Sequence, residues 1–593
     1  MYTLGINAVF HDSSACIVKD GVLLAAAEEE RFNHIKHGKR PVPFSTWELP
    51  FHAIDYCLRT AGIHIKDVDH IAYSFDPELL ITEQHLGDPY TTIPLYTQPD
   101  RKHSHHEENP WQNLFLSSIL NAPAQLRDGY PHHLQERFKG CTSADWQWHF
   151  VDHHVAHAAS AYLPSPYMDA AVMTIDGRGE KATTTYNIGE GNSLTRIAEV
   201  DMPHSLGLLY EKMTDYLGFL RSSDEYRVMA LASYGKPLFA DVFRRMITVG
   251  ENGTYTIADA NFEDLFGPAR LRNEPFTSHH FNLSHSLQLV LEETVLKLCD
   301  WLYDVTKKDN LCFAGGIALN CVLNARIRDK GPFKNIWVQP AAGDSGTALG
   351  AALWIDTRKR ESQTKDFIMD HAYWGPEYSD QEIEKFLKWV KAPYRKMNDV
   401  AEETAALLAE NKIIGWFQGR MEFGPRALGS RSILASPIDP NMQSRLNEVK
   451  DREDFRPVAP VVLQEDAAEW FDGAKESPYM LFIYDVAEGK ADKIPAVRHT
   501  DGTARIQTIN ENQHPRYYQL LKAFKEKTGV PVLVNTSFNT LGKPIVCTPR
   551  DALECFWSSP FDALVIGSFL IDKKDADQNF SSNSYLQEAG AVN

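Results

Sequence analysis

The chain contains one pattern twice: a strand, a short acidic loop and a β-hairpin. The first copy, TLGINAVFHDSSACIVKDGVLLAAAEE, predicts strands over 2–9 and 15–28, with a hairpin turn at Asp20-Gly21. The second copy, AAVMTIDGRGEKATTTYNIGEGNSLTRIAEV, occupies 170–200 and predicts the same order of elements. A pattern that recurs in this way predicts an internally duplicated α/β domain.

The acidic loops of the two copies carry polar residues at strand ends, where ligands bind in α/β sheets. The duplication is similar to that of the actin, hexokinase and Hsp70 type of fold, whose halves face each other across a phosphate-binding cleft. The first loop contains His11 and Asp12, and the second contains Asp176. A simple turn capped by Asp12 is the alternative interpretation of the first loop.

The stretch HHVAHAASAYL favours a helix, because its alanines are strong helix formers. His153 and His157 lie four residues apart and therefore share one face of that helix. Two such imidazoles suit a transition-metal ion, and Asp176 and Asp344 would complete a set for Fe(II), Mn or Zn. A buried histidine pair that only forms hydrogen bonds is the alternative.

Two glycine turns in the second half of the duplicated region follow predicted strands and precede predicted helices. The first contains Gly315 and Gly316, which permit a ligand to approach the backbone, and Asn320 follows one turn later. The second is Gly-Asp-Ser-Gly around Asp344. Many strand–helix junctions use one glycine turn, but two in succession favour an adenylate site.

Composition restricts the class of protein. A length of 593 residues suggests two to four domains, and a formal net charge of -19 argues against a nucleic-acid-coating role. The eight cysteines contain no CxxC pair, so neither a zinc knuckle nor a disulfide framework is indicated. The N-terminus lacks the features of a signal peptide, and the apolar runs are too short to span a bilayer. We expect a cytoplasmic enzyme without a nucleic-acid or membrane partner.

Two segments near the N-terminus have a biased composition. Residues 28–40 are rich in charge and predict a solvated face, although Lys36 and Arg40 are candidates for contacting a phosphate. Residues 78–145 predict an insertion, and their histidine-rich part at 103–110 lacks the spacing of a metal site.

Many short motifs in the chain, in the same order, resemble those of the NodU/CmcH family of carbamoyltransferases. The first part of the chain carries GINAVFHDSSA, AAEEERFNHIKHG, HHVAHAASAYL, IDGRGE, PHSLGLLY, AGGIALN and AAGDSGTALGAA. The second carries GRMEFGPRALGSRSIL, VKDREDFRPVAP, ARIQT, HPRYY and VLVNTSFNTLGKPIV. The resemblance covers nearly the whole chain.

The resemblance implies two α/β domains. Residues 1–355 would form an ASKHA-type carbamoyl-transfer domain with the metal and adenylate sites. Residues 356–372 would form a polar linker. Residues 373–593 would form a YrdC-like domain that binds carbamoyl phosphate and ATP.

The second domain would need fixed cations, because both of its substrates are polyanions. Motif positions supply four of them and one orienting amide: Arg426, Lys450, Arg456, Arg505 and Asn535. A surface salt bridge is the alternative for any single arginine.

The resemblance also implies a reaction. The second domain would use carbamoyl phosphate and ATP with Mg to make carbamoyl adenylate, and the first would transfer the carbamoyl group to a hydroxyl of a small-molecule natural product. His11 is the candidate general base, or positions the acceptor, and Lys36 is the candidate contact to donor or acceptor. A homodimer is left open.

Two other functions remain as alternatives. A HypF-like factor makes carbamoyl adenylate but carbamoylates a protein cysteine, and that family carries an acylphosphatase region and CxxC motifs that this sequence lacks. The second alternative is an ASKHA-type nucleotide sensor without transfer chemistry, which the cationic residues of the second domain disfavour.

Overall fold

The computed structural model describes residues 1–38, 49–79, 116, 118–128 and 137–573. They divide into two compact units, unit 1 (Met1–Asp370) and unit 2 (His371–Asn593). Arg40 and most of the predicted insertion at 78–145, including its histidine-rich part, lie outside the described residues. Among the described helices, none is both long and apolar enough to cross a lipid bilayer.

Unit 1 is built on two five-stranded sheets and a small ribbon. The strands are β1 (Tyr2–Asn7), β2 (Ser14–Lys19), β3 (Val22–Glu28), β4 (His70–Tyr73), β5 (Gln147–Phe150), β6 (Asp169–Ile175), β7 (Ala182–Glu190), β8 (Ser193–Asp201), β9 (Ile247–Val249), β10 (Tyr255–Ile257), β11 (Asn310–Ala314) and β12 (Asn335–Val338). Strands β9 and β10 pair as the ribbon.

The two sheets of unit 1 have the same topology. The first has the order β3-β2-β1-β4-β5, with an antiparallel meander of β1, β2 and β3 and with β4 and β5 parallel to β1. The second has the order β12-β11-β6-β7-β8, with β6, β7 and β8 as the meander and β11 and β12 parallel to β6. The predicted duplication is confirmed.

Helices cover and connect these sheets. They are α1 (Glu30–Asn33), α2 (Phe51–Ala61), α3 (Ala122–Asp128), α4 (His153–Tyr162), α5 (Leu206–Tyr216), α6 (Glu225–Ala232), α7 (Ala240–Met246), α8 (Phe262–Phe266), α9 (Ser278–Thr306), α10 (Cys321–Lys330) and α11 (Ser345–Arg360). Short 3₁₀ helices span Lys36–Gly38, Ile65–Asp67, Pro77–Leu79, Cys141–Ser143 and Gly316–Leu319. The helix predicted for HHVAHAASAYL is α4, and Asp152 caps it by accepting a hydrogen bond from the backbone N–H of Val155 at 2.8 Å.

Helix α11 is buried along most of its length and packs against α4, β1 and β2. Its first turns, SGTALGAAL, are made largely of small residues. A Cβ added at Gly350 would lie 1.7 Å from the carbonyl oxygen of Ala156, so the backbones of α11 and α4 are in direct contact. This contact places the start of α11 beside the start of α4.

Unit 2 has one mixed eight-stranded sheet in the order β13-β22-β21-β14-β15-β20-β16-β19, and a ribbon of β17 and β18. Its strands are β13 (Arg395–Lys396), β14 (Ile414–Phe417), β15 (Arg431–Ala435), β16 (Ala459–Leu463), β17 (Ile483–Asp485), β18 (Thr503–Arg505), β19 (Gln507–Ile509), β20 (Val532–Ser537), β21 (Ala563–Ile566) and β22 (Phe569–Asp572).

The helices of unit 2 are α12 (Asp380–Trp389), α13 (Val400–Ala409), α14 (Met442–Val449), α15 (Ala467–Trp470), α16 (Pro515–Thr528) and α17 (Pro549–Trp557), with 3₁₀ helices at Gln464–Asp466, Ala491–Lys493 and Pro495–Val497. Strands β14, β15, β16 and β21 are buried along their whole length, as expected where a sheet is covered on both faces. The predicted α/β class is confirmed for both units.

The structure corrects the start of the linker predicted over 356–372. Helix α11 continues to Arg360, and Asp356 inside it is fully buried. Asp356 accepts hydrogen bonds from the Nε of Arg360 at 2.6 Å and from the hydroxyl of Thr3 at 3.4 Å, so its charge is paired rather than solvated. Farther along, Lys365 donates to three backbone carbonyl oxygens, one at the last residue of α4 and two in the segment that follows it. The polar composition of this stretch therefore reflects the end of a helix that is fixed to unit 1.

Candidate functional site

The four side chains predicted as metal ligands meet in unit 1, and all four are buried. The Nε2 atoms of His153 and His157 lie 3.2 Å apart. Carboxylate oxygens of Asp176 and Asp344 lie 3.5 to 3.7 Å from these nitrogens. A tetrahedral ion with ligand distances of about 2.0–2.2 Å requires ligand atoms about 3.3–3.6 Å apart. The donors therefore fit a divalent transition-metal ion.

Neighbouring groups hold two of these side chains, His153 and Asp176, in a ligating orientation. The Nδ1 of His153 lies 3.2 Å from the carbonyl oxygen of Ser74. Because a carbonyl only accepts, Nδ1 carries the proton and Nε2 keeps its lone pair for an ion. One oxygen of Asp176 accepts the backbone N–H of Gly316 at 2.7 Å, which leaves the other facing the histidines.

The charges of the cluster also suit an ion. Burial lowers the pKa of His153, but Asp176 and Asp344 outweigh burial and raise the pKa of His153 well above its ordinary value. Burial by itself would raise the pKa of Asp176. The two imidazoles lower that pKa by more than burial raises it, so it lies well below its usual range. A divalent cation would balance the two carboxylates while both imidazoles stay neutral. We call these four residues the metal cluster.

The duplication explains why distant residues meet. Asp176 follows β6, as Asp12 follows the equivalent strand β1. Helix α4, with the two histidines, follows β5, and Asp344 precedes α11, which follows the equivalent strand β12. The metal cluster therefore combines corresponding positions of the two halves, joined by the close contact of α4 with α11.

His11 and Lys36 lie in a second polar cluster of unit 1. The Nδ1 of His11 lies 3.0 Å from Oδ2 of Asp12, and the ammonium of Lys36 donates to the hydroxyl of Ser223 at 3.1 Å. A Cβ added at Gly343, next to Asp344, would lie 3.8 Å from Oδ2 of Asp12, so the second cluster adjoins the metal cluster.

The environment of His11 favours its charged form. Burial lowers the pKa of His11, but the Asp12 carboxylate, with Asp344 and Glu225 farther away, raises it to about 9. The side chain is 31% exposed, whereas its Nε2 atom is buried and has no hydrogen-bond partner among the described residues. The Nδ1 of His11 is therefore anchored by Asp12, and Nε2 is the nitrogen that becomes available to accept a proton when His11 is neutral.

The predicted adenylate residues lie beside the metal cluster. Gly315 has φ +94°, and a Cβ there would lie 2.2 Å from the carbonyl oxygen of Ile175, so only glycine fits. Asn320 is the N-cap of α10: its Oδ1 accepts the N–H of Leu323 at 3.0 Å, and its Nδ2 donates to Gln288 at 2.9 Å. The amide that the sequence suggests for a ribose or a base thus also stabilises a helix.

In unit 2, Lys450 is buried and is surrounded by neutral acceptors. Its ammonium donates to the carbonyl and hydroxyl oxygens of Ser537 at 2.5 and 3.2 Å, and to the carbonyl and amide oxygens of Asn539 at 2.9 and 2.8 Å. Burial lowers the pKa of Lys450 well below its usual range, and Arg452 and Arg456 lower it further. A polyanion bound beside Lys450 and the partly buried Arg452 and Arg456 would favour the ammonium form of Lys450, so this group of basic side chains suits a polyanion.

The other predicted residues of unit 2 lie in two places. Asn535 contacts the loop that contains Arg426, and Arg505 lies on the ribbon of β17 and β18. Asn535 donates to the carbonyl oxygen of Ala427 at 3.2 Å and to Oε1 of Gln507 at 2.7 Å, so it supports the loop that contains Arg426. Its own Oδ1 is buried and has no donor within the described part of the chain. Arg505 lies on β18, and no described carboxylate is within ion-pair distance of its guanidinium. Arg456 lies near enough to Lys450 to lower the pKa of that ammonium, and it also pairs with Glu453 at 3.5 Å, which is the salt bridge expected under the alternative interpretation. The roles of these residues stay predictions.

Sequence reasoning missed several polar residues that the structure adds. In unit 1 these are His37, which lies in the stretch 28–40 that resembled an ordinary solvated face, and Ser223, which lies far from that stretch in sequence. In unit 2 they are Arg452, Ser537 and Asn539. A signal was present in the spacings Lys450-x-Arg452 and Ser537-x-Asn539, within motifs that the resemblance had already singled out.

Comparison with known proteins establishes the family. Residues 2–353 match the model for the carbamoyltransferase N-terminus, and residues 405–573 match the model for the carbamoyltransferase C-terminus. The chain therefore belongs to the carbamoyltransferase family, and the resemblance inferred from its motifs is confirmed.

The relatives extend over nearly the whole chain. An uncharacterised protein of Synechocystis sp. is 40% identical over 99% of this chain and 99% of its own. The nodulation protein NolNO of Sinorhizobium fredii is 38% identical over 96% of this chain and 80% of its own. Among solved structures, full-length HypF in its phosphate- and nucleotide-bound form is 13% identical over 61% of this chain and 56% of its own, with a TM-score of 0.33.

Proposed function

We propose that this carbamoyltransferase makes carbamoyl adenylate from carbamoyl phosphate and ATP, and transfers the carbamoyl group to a hydroxyl of a small-molecule natural product. One observation carries the proposal: the chain places a buried two-histidine, two-aspartate cluster in one unit, and in the other a cluster of basic residues in which Lys450 is buried and Arg452 and Arg456 are partly buried. Activation of a polyanionic donor and transfer of an acyl group are the two chemistries that these clusters suit.

Activation belongs to unit 2. Water releases phosphate from carbamoyl phosphate and leaves carbamate, whose oxygen attacks the α-phosphorus of ATP as pyrophosphate departs. Lys450, Arg452 and Arg456 would neutralise the phosphates, and Arg426 and Arg505 would grip them through paired hydrogen bonds. The free oxygen of Asn535 offers an acceptor for the carbamate amide. ATP would enter with Mg, which prefers phosphate oxygens.

Transfer belongs to unit 1. The turn at Gly315 and Gly316 and the amide of Asn320 would hold the adenylate. His11 would take the proton of the acceptor hydroxyl on Nε2, and Lys36 would contact the donor or the acceptor. The acceptor oxygen forms the new bond to the carbamoyl carbon, and AMP leaves.

The metal cluster would hold one divalent ion, Fe(II), Mn or Zn, through His153, His157, Asp176 and Asp344. Bound there, such an ion supplies Lewis-acid polarisation of an oxygen. The burial of all four side chains supports a site that excludes water from a hydrolysable intermediate.

Two partial reactions test the proposal on the full chain. Pyrophosphate release should require both ATP and carbamoyl phosphate, and Arg456→Ala should abolish it. His153→Ala should leave pyrophosphate release intact and stop the gain of one carbamoyl group by an acceptor, measured by mass spectrometry. Arg550→Ala, at an exposed ion pair on α17, is the control. Pyrophosphate release lost in His153→Ala and kept in Arg456→Ala would reverse the assignment of the sites.

The same assays separate the alternatives. A nucleotide sensor would bind ATP without releasing pyrophosphate in response to carbamoyl phosphate. A HypF-like activity would release pyrophosphate and add carbamoyl groups to a partner protein's cysteine rather than to hydroxyl compounds. Either result would overturn the proposed small-molecule transfer.

A further inference from the structure

We propose that Asp12 and His37 are positioning residues that fix the orientation and tautomer of His11 through a hydrogen-bonded chain ending at Ser223 and Lys36. The proposal deepens the function proposed for unit 1 and rests on it for the role of His11. It depends on contacts between three loops that are remote in sequence.

The distances define a continuous chain. Oδ2 of Asp12 lies 3.0 Å from Nδ1 of His11, and Oδ1 lies 2.8 Å from Nδ1 of His37. The Nε2 of His37 lies 2.9 Å from the hydroxyl of Ser223, which also accepts from the ammonium of Lys36 at 3.1 Å. Every link is within ordinary hydrogen-bond distance.

The position of each proton in the chain follows from donor and acceptor chemistry. Lys36 has only donors, so the oxygen of Ser223 accepts from it and its own O–H is free to donate to Nε2 of His37. His37 then carries its proton on Nδ1 and donates it to Asp12. The other oxygen of Asp12 accepts the Nδ1–H of His11. One arrangement therefore satisfies the whole chain.

In neutral His11 this arrangement leaves Nε2 as an acceptor. The atom is buried and has no hydrogen-bond partner in the part of the chain that the structure describes. Because Nδ1 is fixed by Asp12, a proton taken at Nε2 produces an imidazolium that the carboxylate stabilises. The chain therefore equips His11 to receive a proton from an acceptor hydroxyl.

The backbone supports a functional interpretation. Asp12, His37 and Ser222 have φ angles of +45°, +67° and +56°, values that residues other than glycine adopt at a cost. All three belong to the loops that supply the chain. The loop after β1 is held by Asn7, whose amide donates to the carbonyl oxygens of His11 at 2.8 Å and Asp12 at 3.0 Å.

Charged groups from several elements face His11. Asp12 comes from its own loop, His37 from the segment after α1, Glu225 from α6 and Asp344 from the start of α11. Asp12 is in direct contact with His11. Burial lowers the pKa of His11, and Asp12 raises it more than Asp344 or Glu225 does, so loss of the Asp12 charge has the main effect on that pKa.

Ring-labelled histidine in the metal-free full chain tests the arrangement without any substrate. Two-bond 1H–15N correlation spectra distinguish the two tautomers, and His11→Gln identifies the His11 signals by difference. In the native chain, His37 should be protonated on Nδ1, and neutral His11, observed above its titration midpoint, should be protonated on Nδ1 as well. Asp12→Asn should lower the titration midpoint of His11 by about 1–3 pH units and mix its tautomers.

Asp20→Asn is a matched control. Asp20 also has a positive φ, +49°, but is bonded to the N-terminus instead of to a histidine. Asparagine tolerates that backbone conformation at both positions, so neither variant should lose the loop conformation. An unchanged midpoint and tautomer of His11 in Asp12→Asn would overturn the proposal.

A second pair of variants, at Ser223, tests the chain even if the Asp12→Asn protein does not fold. Ser223→Ala removes the hydroxyl that donates to Nε2 of His37 and should shift the 15N resonance of that nitrogen toward the value of an acceptor nitrogen without a hydrogen bond, whereas Ser223→Thr keeps a hydroxyl and should retain the native resonance. A His37 Nε2 resonance that is the same in Ser223→Ala as in the native chain would show that Ser223 does not donate to His37, and would refute the proposed chain.

An activity measurement separates this proposal from the proposed function. Asp12→Asn should keep pyrophosphate release and slow carbamoyl transfer by about 10- to 100-fold. Its pH profile should move to lower pH, because the proton-accepting form of His11 appears earlier. If the native chain transfers no carbamoyl group but the spectra behave as expected, the proposed function fails and the positioning role of Asp12 and His37 stands.

Discussion

Gly350→Ala tests the contact that builds the metal cluster. The added Cβ would lie 1.7 Å from the carbonyl oxygen of Ala156 and 2.7 Å from the backbone nitrogen of Ser160, both on α4. Carbon–oxygen contacts settle near 3.3 Å or more, so α4 and α11 would have to separate by about 1.6 Å. Backbone atoms cannot rotate away as a flexible side chain can.

Two consequences of this displacement can be measured. Overpacking of this kind costs about 1–3 kcal/mol, which corresponds to a fall in Tm of roughly 1–4 °C in a unit that spans Met1–Asp370. Metal-site distances tolerate shifts of only about 0.2 Å, so the affinity for Fe(II), Mn(II) or Zn(II) should fall at least tenfold. Differential scanning calorimetry gives the first quantity, and equilibrium dialysis with elemental analysis gives the second.

Gly343→Ala is the matched control, because its Cβ would meet its nearest neighbours at ordinary distances of 3.6 and 3.8 Å. That variant should keep the native Tm and metal content. A Gly350→Ala protein with native stability and native metal affinity would refute the reasoning, since it would mean that α4 and α11 do not determine the spacing of the ligands.

Three further predictions concern single side chains. Asn320→Ala should lower the free energy of unfolding by about 1–2 kcal/mol, because it removes the cap of α10; chemical denaturation measures this, and an unchanged midpoint would contradict the cap. Lys450→Met should weaken binding of inorganic phosphate by about 10- to 100-fold in calorimetric titrations, whereas Lys388→Met, at an exposed ion pair, should not. The carbamoyl transfer rate should rise with pH and level off above about pH 9, because the pKa of His11 is raised and only its neutral form accepts a proton; a rate that falls over this interval would exclude His11 as the base.

The sequence predicted local features where chemistry and periodicity agree. The hairpin at Asp20-Gly21 is present because that dipeptide adopts the required turn. The helix over HHVAHAASAYL is present because its alanines and the preceding Asp152 favour it. The predicted start of the linker at residue 356 was wrong, because the charged residues at the end of the buried helix α11 have the composition of a connecting segment.

Hydrogen bonds between residues that are far apart in the chain could not be predicted from the sequence. His37 looked like part of a solvated face, and only the fold carries it to Asp12 on one side and Ser223 on the other. Asn320 looked like a ligand contact, and the fold shows that its side chain also caps a helix.

The sequence alone determined the family, the duplicated α/β fold and the identities of the four candidate ligands, because motifs, turn chemistry and helical spacing are local properties. Only the tertiary structure decided how those ligands meet. Glycine at position 350 brings two helix backbones into contact, and the twofold repetition of the sheet places Asp176 and Asp344 opposite the histidines. The metal cluster depends on the packing of elements that are far apart in the chain, and no local pattern encodes that distance.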